Sequence, residues 1–180
     1  MTEPAGCLSL AESYLKTMLA NVTAFRTWTE TEDEAAALAK IHLEGLPKPA
    51  AGKDCHTRAE LEAYRPYAVV FTGEDNGLTK VHDASGALFD FVGSGRLMLR
   101  LEQDCPDGVG DQPSSDANLQ FKNTVGAIID GLCALAGTAG YLAFERITVA
   151  DGPYWTHPDA VPAQGLCQGC ELLLEWGGGL

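Results

Sequence analysis

The chain has 180 residues, enough for one buried core, and its 46 % hydrophobic and 21 % charged content excludes wholesale disorder. Twenty-five acids against twelve bases give a net charge of −13; with the bases scattered singly, a phosphate-binding stripe and tight nucleic-acid binding are excluded. No apolar run approaches the roughly 20 residues that span a bilayer, and Met1-Thr2-Glu3-Pro4 lacks the basic start and apolar block of a secretory signal.

The first predicted helix runs over Leu10–Val22, with Ser9 and Glu12 at capping-box spacing and Leu10, Tyr14, Leu15, Met18, Leu19 and Val22 on one face. Phe25–Thr29 is aromatic and β-branched and reads as a brief strand or extended connector. A second helix is predicted to open at Thr31-Glu32-Asp33-Glu34, capped by Thr31 with Glu34. It carries Leu38, Ile41 and His42 on one side and ends at Gly45 and Pro47. Leu46–Asp54 is a loop by its Pro and Gly content. A helical turn follows at Arg58–Ala63, with Thr57 and Glu60 as cap partners.

Pro66 introduces a strand, Tyr67–Phe71, which stops at an Asn76-Gly77 turn signal. Strands are then predicted over Leu78–Asp83 and Ala87–Glu102. In the second, Leu97, Leu99 and Leu101 alternate with Arg96, Met98, Arg100 and Glu102, the period of a half-buried strand. Gly93 and Gly95 mark a bulge or bend within it. Asp104–Asp116 is a long acidic loop. Ala117–Ala136 is the strongest predicted helix, with Phe121, Val125, Ile128, Ile129, Leu132 and Leu135 on one stripe. Gly126 and Gly131 in that helix imply close packing against the sheet. A strand over Tyr141–Ala150, a second long loop over Asp151–Gly169 and a last strand over Cys170–Trp176 complete the order. The expected fold is α+β, a two-layer sandwich of a mostly antiparallel sheet with helices on one face, in one domain over 1–180.

The motifs of chemistry are sparse. Gly93-x-Gly95 lies between strands and not at a strand-to-helix turn, and no GxxxxGK[ST] occurs, so no nucleotide cofactor is expected. Six cysteines without an export signal read as reduced thiols, Cys133 among them as core. Cys167-x-x-Cys170 precedes a strand, the wrong context for a redox pair. With Cys55 and His56 it makes a weak metal-site candidate, and the adjacency of Cys55 and His56 is awkward for ligation. Of the four histidines, His42, His56, His82 and His157, neither His42 nor His82 is flanked by a nucleophile motif, the adjacent Cys55 and His56 side chains point apart on an extended chain, and no GxSxG occurs, so the chain is not expected to be an enzyme. Tyr154, Trp155 and His157, set among prolines, read as loop packing or as a contact patch.

One resemblance rests on the order of these segments. An N-terminal helix precedes Arg65-Pro66-Tyr67-Ala68-Val69-Val70. Turn-linked strands then end in Gly95-Arg96-Leu97-Met98-Leu99-Arg100-Leu101, followed by a long helix over Asn118–Ala136, a strand, a Pro/aromatic loop and Glu171-Leu172-Leu173-Leu174-Glu175-Trp176-Gly177. Over Leu10–Gly177 this layout resembles the tail terminator proteins of long-tailed bacteriophages and related tail-like particles. The second helix and the Cys-rich loops have no counterpart in that pattern. The resemblance implies a virion structural protein made in the host cytoplasm, a homohexameric ring that caps the tail tube protein and faces the head–tail connector protein. DNA would pass its channel unbound, with no membrane and no cofactor. Expected contacts are Arg96, Arg100, Asp104, Asp107, Asp111, Tyr154, Trp155 and His157, the two arginines pairing with acids of the next subunit. The alternatives are another neck or minor tail protein, a metal- or ligand-binding domain using Cys55, His56, Cys167 and Cys170, or a small hydrolase with an unrecognised site.

Overall fold

A computed structural model describes residues 7–49, 52–72, 77–82, 89–105, 108–109, 112–138, 141–156 and 165–179. Helices α1 (Cys7–Asn21), α2 (Thr23–Trp28) and α3 (Glu34–Ala39) lead into a short strand, β1 (Ile41–Leu43). Helix α4 (Arg58–Tyr64) precedes β2 (Tyr67–Thr72), β3 (Gly77–His82) and β4 (Phe89–Asp104). A two-residue pairing of β5 (Gly108–Val109) with β6 (Gln112–Pro113) leads to α5 (Ser115–Leu135), then β7 (Phe144–Thr156) and β8 (Cys167–Gly179). The class is α+β, as expected. The main sheet runs β1-β2-β4-β8-β7 with β3 also against β4, and every pairing in it except β1 with β2 is antiparallel.

The core lies where the alternation places it. Leu97, Leu99 and Leu101 of β4, Cys170, Leu172, Leu174 and Trp176 of β8, and Ala68 and Val70 of β2 are buried on one sheet face. Against them pack Leu15, Met18 and Leu19 of α1, Phe25 of α2, and Phe121, Val125, Ile128 and Leu132 of α5. Burying each such side chain contributes roughly 1.5–3 kcal/mol before entropy is counted. Ser114 caps α5 by accepting from the Ala117 N–H at 3.1 Å. Gly137, at φ 73, takes the left-handed conformation just past the helix end.

Several local expectations change. Helix α1 starts at Cys7, so Ser9 lies inside it and is not its cap. Phe25 is in helix α2, because the core needs its ring against α5, and this contact overrides the residue's β propensity. Asp33, not Thr31, caps α3 by accepting from the Ala36 N–H at 2.8 Å. Ile41–Leu43 leaves the helix to pair in parallel with Ala68–Val70. Thr57 and Glu60 do form the capping box of α4.

Gly93 and Gly95 make no bulge toward β8, since β4 pairs with it in unbroken register from Val92 to Asp104. The irregularity is on the other side of β4. Strands β2 and β3 lie end to end along that edge and do not form a hairpin with each other. Thr72 faces Leu97 and Gly77 faces Ser94, so the register slips by two residues opposite Gly95 and Arg96.

The small residues of α5 also act differently from expectation. A Cβ at Gly131 would lie 2.5 Å from Val22 Cγ1, so the close approach is to the α1–α2 junction and not to the sheet, while Gly126 faces open space. Gly126→Ala is therefore expected to raise stability by about 0.5–1 kcal/mol. Gly131→Ala, which must displace the buried Val22, is expected to lower it by about 1–3 kcal/mol. Denaturant midpoints of the two variants test this; a gain at both positions would show that Val22 yields freely.

Candidate functional site

Among the described residues, four of the five helices associate with the core face of the sheet. On the other face, α4, residues 44–49 and residues 54–56 lie over β1 and β2, and most outward side chains of β4, β8 and β7 stay half-exposed or exposed. Those outward positions follow from the strand period: Arg96, Met98, Arg100, Glu102 and Asp104 on β4 stand beside Glu175, Leu173, Glu171, Gly169 and Cys167 on β8. The charges pair across strands within the chain. Arg96 Nε lies 3.2 Å from Glu175, whose second oxygen is 3.4 Å from Arg146, and Arg100 Nη2 lies 2.6 Å from Glu171. The two arginines expected to reach the next subunit's acids are thus engaged with their own sheet. Burial alone would lower the Arg100 guanidinium, but the Glu171 carboxylate outweighs it and holds it above its ordinary value.

At the α4 end of this face sits a buried ion cluster. The Arg65 side chain is 1 % exposed. It donates through Nε and Nη2 to Glu102 at 2.8 and 2.6 Å, and through Nη1 to Asp104 at 2.8 Å. Burial works against its charge, yet Glu102 and Asp104 together raise the guanidinium above its ordinary value. Burial and the Glu102 charge push the neighbouring Tyr67 phenol up. Asp104, expected at a partner contact, is a ligand of this cluster.

Beside the cluster, residues 44–49 and 54–56 and the sheet enclose an open cleft of about 790 Å³. Val69, Phe71 and Tyr67 floor it; Pro47, Leu61 and His56 wall it; Arg100 and Glu102 mark its rim. His56 Nε2 lies 2.7 Å from the Pro47 carbonyl, and the His56 and His42 rings meet Tyr64 edge-on at 5.5 and 5.7 Å. His42, predicted on a helix, stands on β1, where burial, then Lys16 and Lys40, lower its basicity.

Cys167 and Cys170 do not form a unit. Three positions apart on β8, they fall on opposite sheet faces: Cys170 pairs with the inward Leu101, and Cys167 with the outward Asp104. Burial pushes both thiols up, Cys170 to about 11, so neither is poised as a thiolate. Cys55 is exposed in the cleft segment. No group of three or more His, Cys, Asp or Glu among the described residues is arranged to hold a metal ion. Cys133, expected in the core, is exposed on α5.

The segment expected as a Pro/aromatic loop, Asp151–Gly169, is strand at both ends, over residues 151–156 and 167–169. Tyr154 and Trp155 belong to β7 and pair with Gly169 and Gln168. A Cβ at Gly169 would lie 2.7 Å from the Tyr154 ring, so the ring covers the glycine backbone on the outward face. Burial pushes the Tyr154 phenol up to about 12. On the inward face a polar chain runs from Trp28 Nε1 to Gln103 (2.6 Å), from Gln103 to Gln168 (3.0 Å) and from Gln168 to Asn118 (2.8 Å). Asp107, Asp111 and His157 lie outside the described residues.

Two charged groups have roles that the sequence did not give them. Arg65, named only within the segment Arg65–Val70, is the centre of the ion cluster, and Glu12, expected to cap the first helix with Ser9, lies inside α1 and is buried. Glu12 shares the i, i+3, i+7 stripe of Leu15 and Leu19, a position that marks an acid as buried. It is 4 % exposed, accepts a hydrogen bond from the Thr72 hydroxyl, and is held at about 6 by burial first and by Glu44 against the effect of Thr72. A folded value above the unfolded one means stability that is full below about pH 4.5 and lost as pH rises through about 6. Glu12→Gln, which keeps the Thr72 contact, is therefore expected to be near neutral at pH 4 and to gain up to about 2 kcal/mol at pH 8. Urea melts at both pH values check it; an equal effect at both would contradict the burial of a titrating carboxyl.

No protein-family model matches the sequence, and no curated protein matches it. Among solved structures, a chain from the virion of a native gene transfer agent particle is similar at 11 % identity and a TM-score of 0.45, with 97 % of this chain and 98 % of that one covered.

Proposed function

We propose that the chain is a structural subunit of a phage-like virion, a tail terminator that closes the tail tube as a homohexameric ring and meets the head–tail connector on its other side. In this reading it assembles and does not catalyse, and it needs no cofactor. The observation that carries the reading is the division of the sheet. Four of the five described helices take one face, while the opposite face between α4 and β7, and the thirteen-residue edge strand β7, remain half-exposed. An open strand edge is a template for pairing with another chain, and a face of half-exposed aromatics and arginines has the make-up of an interface. The net charge of −13 suits a ring that DNA traverses, because like charges repel and the duplex slides past unbound.

Tyr154 on the outward face, and Trp155 beside it on the edge strand β7 but on the inward side with Gln168, would anchor the subunit contact along that edge, with Arg96, Arg100 and Asp104 at its polar rim and Asp107, Asp111 and His157 extending it. The test is to mix the purified chain with tail tube protein and image the product by negative stain, with mass in solution alongside. Six-fold rings at one tube end are expected. A chain that leaves the tube ends bare would overturn the terminator reading, and binding at another position would assign it to a different neck or minor tail role. Tyr154→Phe and Trp155→Ala are expected to weaken ring formation unequally, Trp155→Ala more, because the Phe ring still covers Gly169.

A further inference from the structure

The main sheet ends in β1 on one side and in β7 on the other. Among the described residues, no backbone hydrogen bond reaches either strand from its outer side. Each carries an exposed large apolar side chain, Leu43 at 37 % and Val149 at 45 %. Leu43 stands beside Val70 and Val149 beside Leu172, so both lie on the core face. Ile41, beside Ala68, and Ile147, beside Leu174, share that face. The strand directions let these two edges meet. Strand β1 is parallel to β2, and the three antiparallel steps from β2 through β4 and β8 leave β7 running opposite to β1. A rotation about an axis along the strands keeps both direction and face. It therefore brings β7 of one copy against β1 of the next as an antiparallel pair, core face beside core face.

We propose that β7 of one copy adds to β1 of a second copy, with Ile147 opposite Leu43 and Val149 opposite Ile41, so that the sheet continues from subunit to subunit. The pairing deepens the ring reading and rests on it for closure, because a head-to-tail contact that does not close grows into a filament. Counting along both strands sets His42 opposite Thr148 and Glu44 opposite Arg146. Glu44 is exposed and still follows β2, its N–H donating to the Val70 carbonyl at 2.8 Å. The Arg146 side chain is 70 % exposed, so a second carboxylate can approach it beside Glu175. Opposite charges facing each other across strands favour this register. Two β7 strands pair less well with each other: Ile147 opposite Val149 sets Glu145 opposite Asp151, and like charges there repel. The three residues of β1 make each contact weak singly, and closure of the ring multiplies it.

Disulfide capture with the full chain at high concentration tests this, in a background with Cys7→Ser, Cys55→Ser and Cys133→Ser in which Cys105, Cys167 and Cys170 are buried. Leu43→Cys and Ile147→Cys chains, mixed and oxidised, are expected to give a linked dimer that neither gives alone. Adding Glu44→Arg to the first chain should lower the yield, and Arg146→Glu on the second should restore it. No dimer in the mixture, an equal yield from Ile147→Cys alone, or a yield unmoved by Glu44→Arg would overturn the pairing. If Ile147→Cys, which trims a residue packed on the core, does not fold, His42→Cys with the exposed Thr148→Cys gives the same readout on the outward face. Images of tube ends judge the ring reading separately. Capture with bare tube ends keeps the strand pairing and sinks the terminator, and capped tubes without capture do the reverse.

Discussion

Replacing Arg65 with methionine is expected to cost about 3–5 kcal/mol of stability, because it leaves a buried carboxylate without its partner. The methionine keeps much of the stem volume, so the loss is electrostatic and not a cavity. Glu102 loses both of its guanidinium bonds, at 2.8 and 2.6 Å, and Asp104 loses one at 2.8 Å. The Glu102 side chain is 12 % exposed, so water can replace little of this, whereas Asp104 at 36 % can rehydrate. Most of the penalty therefore sits on Glu102. The double variant Arg65→Met/Glu102→Gln should recover a large part of it, since it removes the uncompensated charge. Guanidinium melts of the single and double variants give the coupling. A single variant that loses less than about 1 kcal/mol would mean that solvent reaches the cluster.

Trp176→Ala carries the second large effect, about 3–5 kcal/mol. Trp176 is the largest of the fully enclosed side chains, 2 % exposed, and stands in register with Gly95 of β4 and Phe144 of β7. Truncation would leave a cavity between the sheet and the helix layer that the rigid strands cannot close. The indole N–H has no hydrogen-bond partner among the described residues, which is itself a cost in a buried position. Trp176→Phe removes that donor without breaking a bond and keeps most of the ring, so its loss should be clearly smaller than that of alanine. Equal losses for the two would show that the N–H is bonded in solution.

How far the sequence could be read depended on the range of the interaction that decides each segment. The alternation of Leu97, Leu99 and Leu101 and the stripe of Phe121, Val125, Ile128 and Leu132 were legible, because strand and helix periods are properties of the local backbone. So was the Thr57–Glu60 capping box, whose partners are three residues apart. Ile41–Leu43 was not, because its spacing fits a helix and only its partner Ala68–Val70 makes it a strand. Tyr154 and Trp155 were hidden by Pro153, which reads as a loop until β8 supplies Gly169 and Gln168 alongside. For the candidate site, the charged row Arg96, Arg100 and Glu102 was visible in the strand period. That Glu171 and Glu175 neutralise its arginines was not, since the pairs are 71 and 79 residues apart.

The sequence by itself determined the class, the core stripe of each long element and the acidic surface, since composition and period depend on neighbours a few residues away. Only the tertiary structure decided that Cys167 and Cys170 point apart, that Arg65 is buried between two acids, and that Glu12 is enclosed against Thr72. Each of those follows from strand register and from which face a helix presents, and both are fixed by burying the largest apolar area and not by any local preference.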